Sequence, residues 1–234
     1  MKLPAHVSER GASLKILLNL ADNKDMPELG RDVFVNRSLI LDSGRIISAY
    51  RLSFLMVPSD ADSGAVAKPD LQHLTSILES IDPDIIAGDR TAFVKVDEPL
   101  GDLKISERWK RRIILDVPFS NVQRGNGDAS ESWGDDKPRL CIGDFSVLED
   151  VITLLPLPCH LKLDPHGLSA AELSKTMSAL KGLPVVTVAT AVDTPERFEA
   201  CVRAGFDFFE GEFFAKPPVF GQKAISPNHV LLLE

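Results

Sequence analysis

From residue 33 onward the apolar positions keep two rhythms that take turns. Val33–Leu41 and Arg45–Leu55 are dense in apolar and β-branched residues, and Asp42-Ser43-Gly44 between them is turn chemistry, so the chain opens this region with an antiparallel hairpin. Leu71, Leu74, Ile77 and Leu78 then recur at helical spacing. Short apolar runs at Thr91–Val96, Arg111–Val117, Leu140–Phe145, Cys159–Asp164, Pro184–Thr190 and Asp207–Phe209 read as strands. Helical stretches at Val147–Leu155, Ser169–Lys181 and Thr194–Ala204 separate the later ones. Two of these helices carry their own boundaries. Ser169 with Glu172 three residues on forms a capping box, and Thr194 followed by Pro195 starts a helix that Gly205 ends.

Strand and helix alternate from Phe93 to the end, which is the mark of a parallel sheet. About eight strands follow Val33, and no glycine-rich phosphate loop follows any of them. The fold class is therefore α/β, a TIM-like (β/α)8 barrel whose first strand, through the hairpin, runs antiparallel. Residues 1–32 read as a separate extension. Leu14, Leu17, Leu18 and Ala21 sit at i, i+3, i+4 and i+7, which predicts a short amphipathic helix, either packed on the barrel as a lid or docked on a partner. Residues 33–226 make the barrel, and residues 227–234 a tail. Pro118–Pro138, rich in Gly, Ser, Asp and Asn, has no helical period and reads as a loop.

Composition narrows the function. The 234-residue chain is 44% hydrophobic and carries a net charge of -8, which disfavours a general nucleic-acid binder. The one basic run, Lys110-Arg111-Arg112 beside Trp109, reads as a solvated helix end leading into a strand. Three cysteines, Cys141, Cys159 and Cys201, lie far apart in apolar surroundings; they suit buried thiols in a cytoplasmic protein and no metal pair. No apolar run has membrane-spanning length, and no signal-peptide pattern opens the chain.

The chemistry gathers at strand ends. In the strand spanning Gly44–Met56, period two places Ile47, Ala49, Arg51 and Ser53 on one face. Arg51 is a full charge among small and apolar neighbours, and left unpaired it would cost about 3–5 kcal/mol. In a parallel barrel the functional face lies at the C-terminal strand ends. There the chain places Arg51, Lys95, Asp116, Asp144, Lys162, Asp164, Thr190, Asp193 and Glu210. A divalent-metal site wants converging carboxylates with no competing cation. This mixture instead predicts mutual neutralisation, with ammonium and guanidinium groups where a metal would sit.

Several segments resemble the EAL domains, the cyclic di-GMP phosphodiesterase barrels, and most closely the branch with an HDOD domain behind the barrel. FEGEFFAKP at 209–217, preceded by AGFD at 204–207, is similar to that branch's C-terminal signature. VFVNRSLILD at 33–42 and AYRL at 49–52 resemble its opening hairpin, IGDF at 142–145 its LDDF segment, LKLD at 161–164 its KID segment, and VATAVDT at 188–194 its VAEKVET segment. The resemblance runs in order from about residue 33 to 226.

It implies a barrel with an antiparallel first strand, and it implies what an active member would need. The naming metal-binding glutamate falls on Arg51, the nucleotide-contacting arginine on Leu55, and the metal-binding asparagine on Lys95. The second glutamate falls on Asp116, the Asp-Asp pair on Gly143-Asp144, the VAEKVE glutamate on Thr190, and the FQGY glutamine on Glu210. Asp144, Lys162 and Asp164 are unchanged. Two-metal phosphodiester hydrolysis would lack its ligands. The expectation is a catalytically inactive domain, without cofactor or metal, that works through a protein partner or a second copy in bacterial signalling. The alternative is a metal-independent cyclic di-GMP receptor using Arg51 and Lys95 on phosphate oxygens; an active enzyme with a rebuilt site is the outside reading. Pro118–Pro138 fits a partner surface if no helix covers the barrel there, or is a solvated loop. The tail, 227–234, fits a linker into a further domain. Arg51 and Lys95 paired with Asp116, Asp144 or Glu210 would favour inertness; both open to a cleft would favour the receptor.

Overall fold

In a computed structural model, the described residues are 7–10, 13–19, 32–57, 67–100, 105–124, 138–144, 148, 151 and 159–212. The predicted hairpin is present as β3 (Asp32–Asp42) and β4 (Ile47–Val57), paired antiparallel from Asp32↔Val57 to Leu41↔Ile47 with a register shift at Ile40/Leu41. Asp42 makes the turn, its Oδ1 accepting from the amides of Gly44 at 2.8 Å and Ile46 at 2.9 Å. Parallel strands follow in order: β5 (Thr91–Lys95), β6 (Ile113–Pro118), β7 (Arg139–Gly143), β8 (Cys159–Leu163), β9 (Val185–Ala189) and β10 (Phe208–Phe209). β10 pairs antiparallel with β3, and β3 with β4, so eight strands close into a barrel with one reversed member.

Two further strands hang on this barrel. β1 (Val7–Arg10) pairs with β2 (Ser13–Asn19), and β2 with the first half of β3, from Leu14↔Arg37 to Asn19↔Asp32. The amphipathic helix expected around Leu14–Ala21 is thus overturned. The 3.6-residue spacing of its leucines yields to the unpaired backbone edge of β3, which is eleven residues long and uses only Leu41 and Asp42 to meet β10. Strand pairing satisfies those groups where a helix would not.

Helices cover the outside. α1 (Leu71–Ser80) starts at Asp70, whose carboxylate accepts from the His73 amide at 2.8 Å, and buries Leu74, Ile77 and Leu78, each contributing about 1.5–3 kcal/mol. α2 (Pro83–Ala87) and α3 (Glu107–Lys110) are short. Trp109 of α3 is fully buried, and its indole N–H donates to the Leu78 and Ile81 carbonyls at 2.7 and 3.2 Å, satisfying the open end of α1. The basic run after it is the helix end leading into β6 that the sequence suggests.

α4 (Phe119–Arg124) corrects a second expectation: the first residues of the supposed loop are helical, with Phe119 and Val122 buried against the core. Residues 125–137, and all of the Val147–Leu155 helix but residues 148 and 151, lie outside the described residues. α5 (Ala170–Leu180) has both halves of the Ser169–Glu172 capping box, and α6 (Pro195–Ala204) ends on Gly205 at φ 93°, a left-handed position that suits glycine. The three cysteines are buried and unpaired. Among the described residues, no helix is long and apolar enough to cross a membrane.

Candidate functional site

The strand registers sort the inward side chains into layers taken from alternate strands, as barrel shear requires. The lowest, from β4, β6, β8 and β10, is Ala49, Ile114, His160 and Phe208; the next, from β3, β5, β7 and β9, is Ile40, Phe93, Cys141 and Val188. His160 meets Phe93 edge to face at 5.3 Å between ring centroids. Above these two layers the even strands contribute four charges: Arg51 from β4, Asp116 from β6, Lys162 from β8 and Glu210 from the end of β10.

Their signs alternate around the barrel, and every neighbouring pair is in contact. Arg51 Nη1 donates to Glu210 Oε1 at 2.6 Å, and Arg51 Nε lies 3.3 Å from Asp116 Oδ2. Lys162 Nζ donates to Asp116 Oδ2 and lies 3.9 Å from Glu210 Oε2, which closes the ring. Side-chain exposure is 7% for Asp116, 9% for Glu210, 13% for Lys162 and 28% for Arg51, so the ring is a layer of the core with Arg51 its most exposed member. Burial works to lower the Arg51 pKa, but Glu210 and Asp116 outweigh it and hold the guanidinium above its ordinary value. Such a quartet balances desolvation against four short-range attractions, and any single deletion strands a buried charge.

Local backbone sets the ring's shape. At Gly211 a Cβ would stand 2.1 Å from the Val192 carbonyl oxygen, so only glycine permits the close pass that also carries the Val192 N–H to Glu210 O hydrogen bond at 3.0 Å. Gly143 gives room of another kind. A Cβ there would approach the Lys162 Cβ to 3.3 Å, so losing a side chain at 143 lets the Lys162 stem lie flat toward Asp116.

The other expected site residues stand elsewhere. Lys95 belongs to the layer above, with Ser38, Gly143 and Thr190, and its Nζ turns to Asp97 Oδ1 at 3.3 Å. Asp97 also receives Lys68 at 2.6 Å, and its carboxyl pKa falls: burial opposes the drop, but the Lys68 hydrogen bond and the Lys95 charge outweigh it. Asp144 is exposed on a left-handed backbone at φ 55°. Asp164 is exposed and accepts from the His166 amide at 2.8 Å. Thr190 accompanies the Leu163 carbonyl, at 2.9 Å from its amide and 3.4 Å from its hydroxyl. Asp193 accepts from the Glu212 amide at 2.8 Å.

The four residues of the ring do not fit a divalent metal. Asp116 and Glu210 each face both cations of the ring. Among the described residues, no three His, Cys, Asp or Glu side chains form a group able to hold one. Sequence reasoning missed three residues that shape this region: Asp97, Gly211 and His160. His160 was readable from period two, since it lies two residues before Lys162 and must share its inward face.

Comparison with solved structures places this barrel among known ones. The chain aligns over 79% of its length with the EAL enzyme Bd1971 in its cAMP- and cyclic-di-GMP-bound form, at 14% identity and a TM-score of 0.55, and covers 62% of that chain. It aligns over 79% of its length with the EAL domain of Xanthomonas citri FimX in complex with cyclic di-GMP, at 13% identity and a TM-score of 0.57, covering 87% of that chain. The Bacillus subtilis protein YkuI, which has an EAL domain and was solved with substrate cyclic di-GMP and calcium, aligns over 78% of this chain at 13% identity and a TM-score of 0.57, with 54% of YkuI covered. The fold is that of an EAL barrel. In sequence, 47 residues, 20% of this chain, are 40% identical to the cyclic di-GMP phosphodiesterase CdgJ of Vibrio cholerae serotype O1, and span 11% of CdgJ. No family model matches the sequence.

Proposed function

We propose that this EAL-type barrel is catalytically inactive and acts in bacterial cyclic di-GMP signalling through contact with a protein partner. The observation that carries the reading is the alternating ring. Arg51 adds a second cation beside Lys162, at the position where the resemblance puts a metal-binding glutamate, and it engages both carboxylates of the layer, Glu210 at 2.6 Å and Asp116 at 3.3 Å. A cation repels Mg²⁺ or Ca²⁺ as well as failing to ligate it. The same pairing weighs against a receptor for cyclic di-GMP. Arg51 is committed to Glu210 and Asp116, and Lys95 to Asp97, so a phosphate would have to displace an existing carboxylate from either. Phe119 and Val122 of α4 are buried, so the described start of Pro118–Pro138 leaves no exposed apolar side chain at these two positions for a partner.

Titration calorimetry with cyclic di-GMP, with and without Mg²⁺, combined with chromatography of the incubated nucleotide, tests this. The expected result is no binding heat and no linear product. Metal-dependent linear product overturns the reading, and micromolar metal-free binding replaces it with the receptor.

A further inference from the structure

α5 and α6 leave a groove of about 850 Å³ between them on the outside of the barrel. Its width follows from the sequence. α5 presents Ala170, Ser174 and Ser178 at i, i+4 and i+8, and α6 presents Ala200 and Ala204 at i and i+4, so each helix lines the gap with a row of small side chains. The floor is apolar: Leu173 and Cys201 are buried and Met177 half-buried. At one end Leu168 is 41% exposed, one of few large apolar side chains left open among the described residues.

The charges along the groove run against those of the whole chain. On a protein of net charge -8, its charged lining is Lys181, Arg197 and Arg203 against the single acid Asp207. Asp207 Oδ2 is occupied, accepting from the amide and the hydroxyl of Thr187 at 2.8 Å each. Arg197 Nη1 donates to the Ala191 carbonyl at 3.1 Å. Lys181 and Arg203 are exposed and make no ion pair among the described residues. A trough of mixed polar and apolar lining with small side chains on both walls admits a third helix at close range, and a cationic rim on an acidic protein selects the sign of that helix.

We propose that this groove docks an acidic amphipathic helix of a partner protein. Its apolar stripe would lie on Met177 and Leu168, over the buried Leu173, and its carboxylates would reach Lys181 and Arg203. The proposal rests on the reading that the domain works through protein contact, and it specifies where and with what chemistry.

The test uses the intact chain and two synthetic helices of about 15 residues, the shortest length that holds a helix in water. Both carry leucines at i, i+3, i+4 and i+7; one has glutamates and the other lysines at the remaining exposed positions. Fluorescence anisotropy is expected to show the glutamate helix binding at least about tenfold tighter than its lysine twin at low salt, with the preference shrinking as salt rises. Lys181→Glu with Arg203→Glu is expected to reverse the preference. Ser174→Trp, which fills the groove, is expected to weaken binding of the glutamate helix at least tenfold. Both variants change exposed residues, and an unchanged melting temperature confirms their fold. In cells, a photo-reactive residue at Ser178 is expected to cross-link to an acidic peptide with apolar positions at helical spacing. Equal affinity for both helices, indifference to Ser174→Trp, or cross-linked peptides that are basic or absent overturn the proposal. Nucleotide chromatography on the same wild-type sample keeps the outcomes apart: linear product would defeat the inactive-domain reading whatever the peptides do, while failed docking without product defeats the groove alone.

Discussion

Arg51 and Glu210 are 159 residues apart in sequence and 2.6 Å apart at the mouth of the barrel, and their contact ties the second barrel strand to the eighth. Removing one side of it leaves a buried carboxylate facing a single cation. Arg51→Ala is expected to lower stability by about 3–5 kcal/mol, read by urea unfolding. Replacing both residues with methionine is expected to recover most of that loss. A double variant no more stable than the single one would show that the ring's geometry, and not the stranded charge, sets the cost.

Restoring the glutamate that the resemblance assigns to position 51 is expected not to restore hydrolysis. Arg51→Glu would place three carboxylates around Lys162 alone, with Gly143, Lys95 and Thr190 unchanged in the layer above. Loss of melting temperature without linear product is the expected pair of results; product from the single change would contradict it.

His160 links the barrel floor to pH. Burial pushes its imidazole down to about 4, with the Arg139 charge adding to the effect. The unfolded chain takes up that proton near 6.5, so it binds more protons than the native state across the interval between. Stability is therefore full above about pH 6.5, falls by up to about 3 kcal/mol as pH drops toward 4, and is flat below from this group. His160→Leu is expected to remove most of that slope between pH 6.5 and 4 in urea titrations. An unchanged slope would assign the acid sensitivity to other groups.

Two backbone positions at the barrel mouth respond in opposite directions. Gly211→Ala is expected to cost about 3 kcal/mol or more, because its Cβ would meet the Val192 carbonyl oxygen at 2.1 Å. Ala191 holds φ 52° with a side chain in the left-handed region, and Ala191→Gly is expected to gain up to about 1 kcal/mol. Melting temperatures of the two variants check both signs.

The architecture was legible where one segment settles its own conformation. Ser169 with Glu172, and Thr194 with Gly205, mark their helices without help from the rest of the chain. Asp42 and Gly44 mark the hairpin in the same way. β2 was not legible, because its leucine spacing suits a helix and only the long edge of β3, supplied by tertiary structure, decides otherwise. The ring was half legible. Strand ends nominated its residues, but barrel shear groups Arg51, Asp116, Lys162 and Glu210 into one layer and lifts Lys95 and Thr190 into the next. Shear is a property of eight strands together and is written in none of them.

Seen from solution, the alternating ring is electrically quiet. Two positive and two negative charges taken in turn around a circle cancel in total and, to first order, in dipole. What remains is a quadrupole, whose field dies within a few ångströms of the mouth, well inside a Debye length of about 8 Å in physiological salt. A cleft lined by one sign of charge draws oppositely charged ligands from a distance by focusing field lines. This layer offers no such beacon, so an approaching nucleotide would meet its charges only on contact.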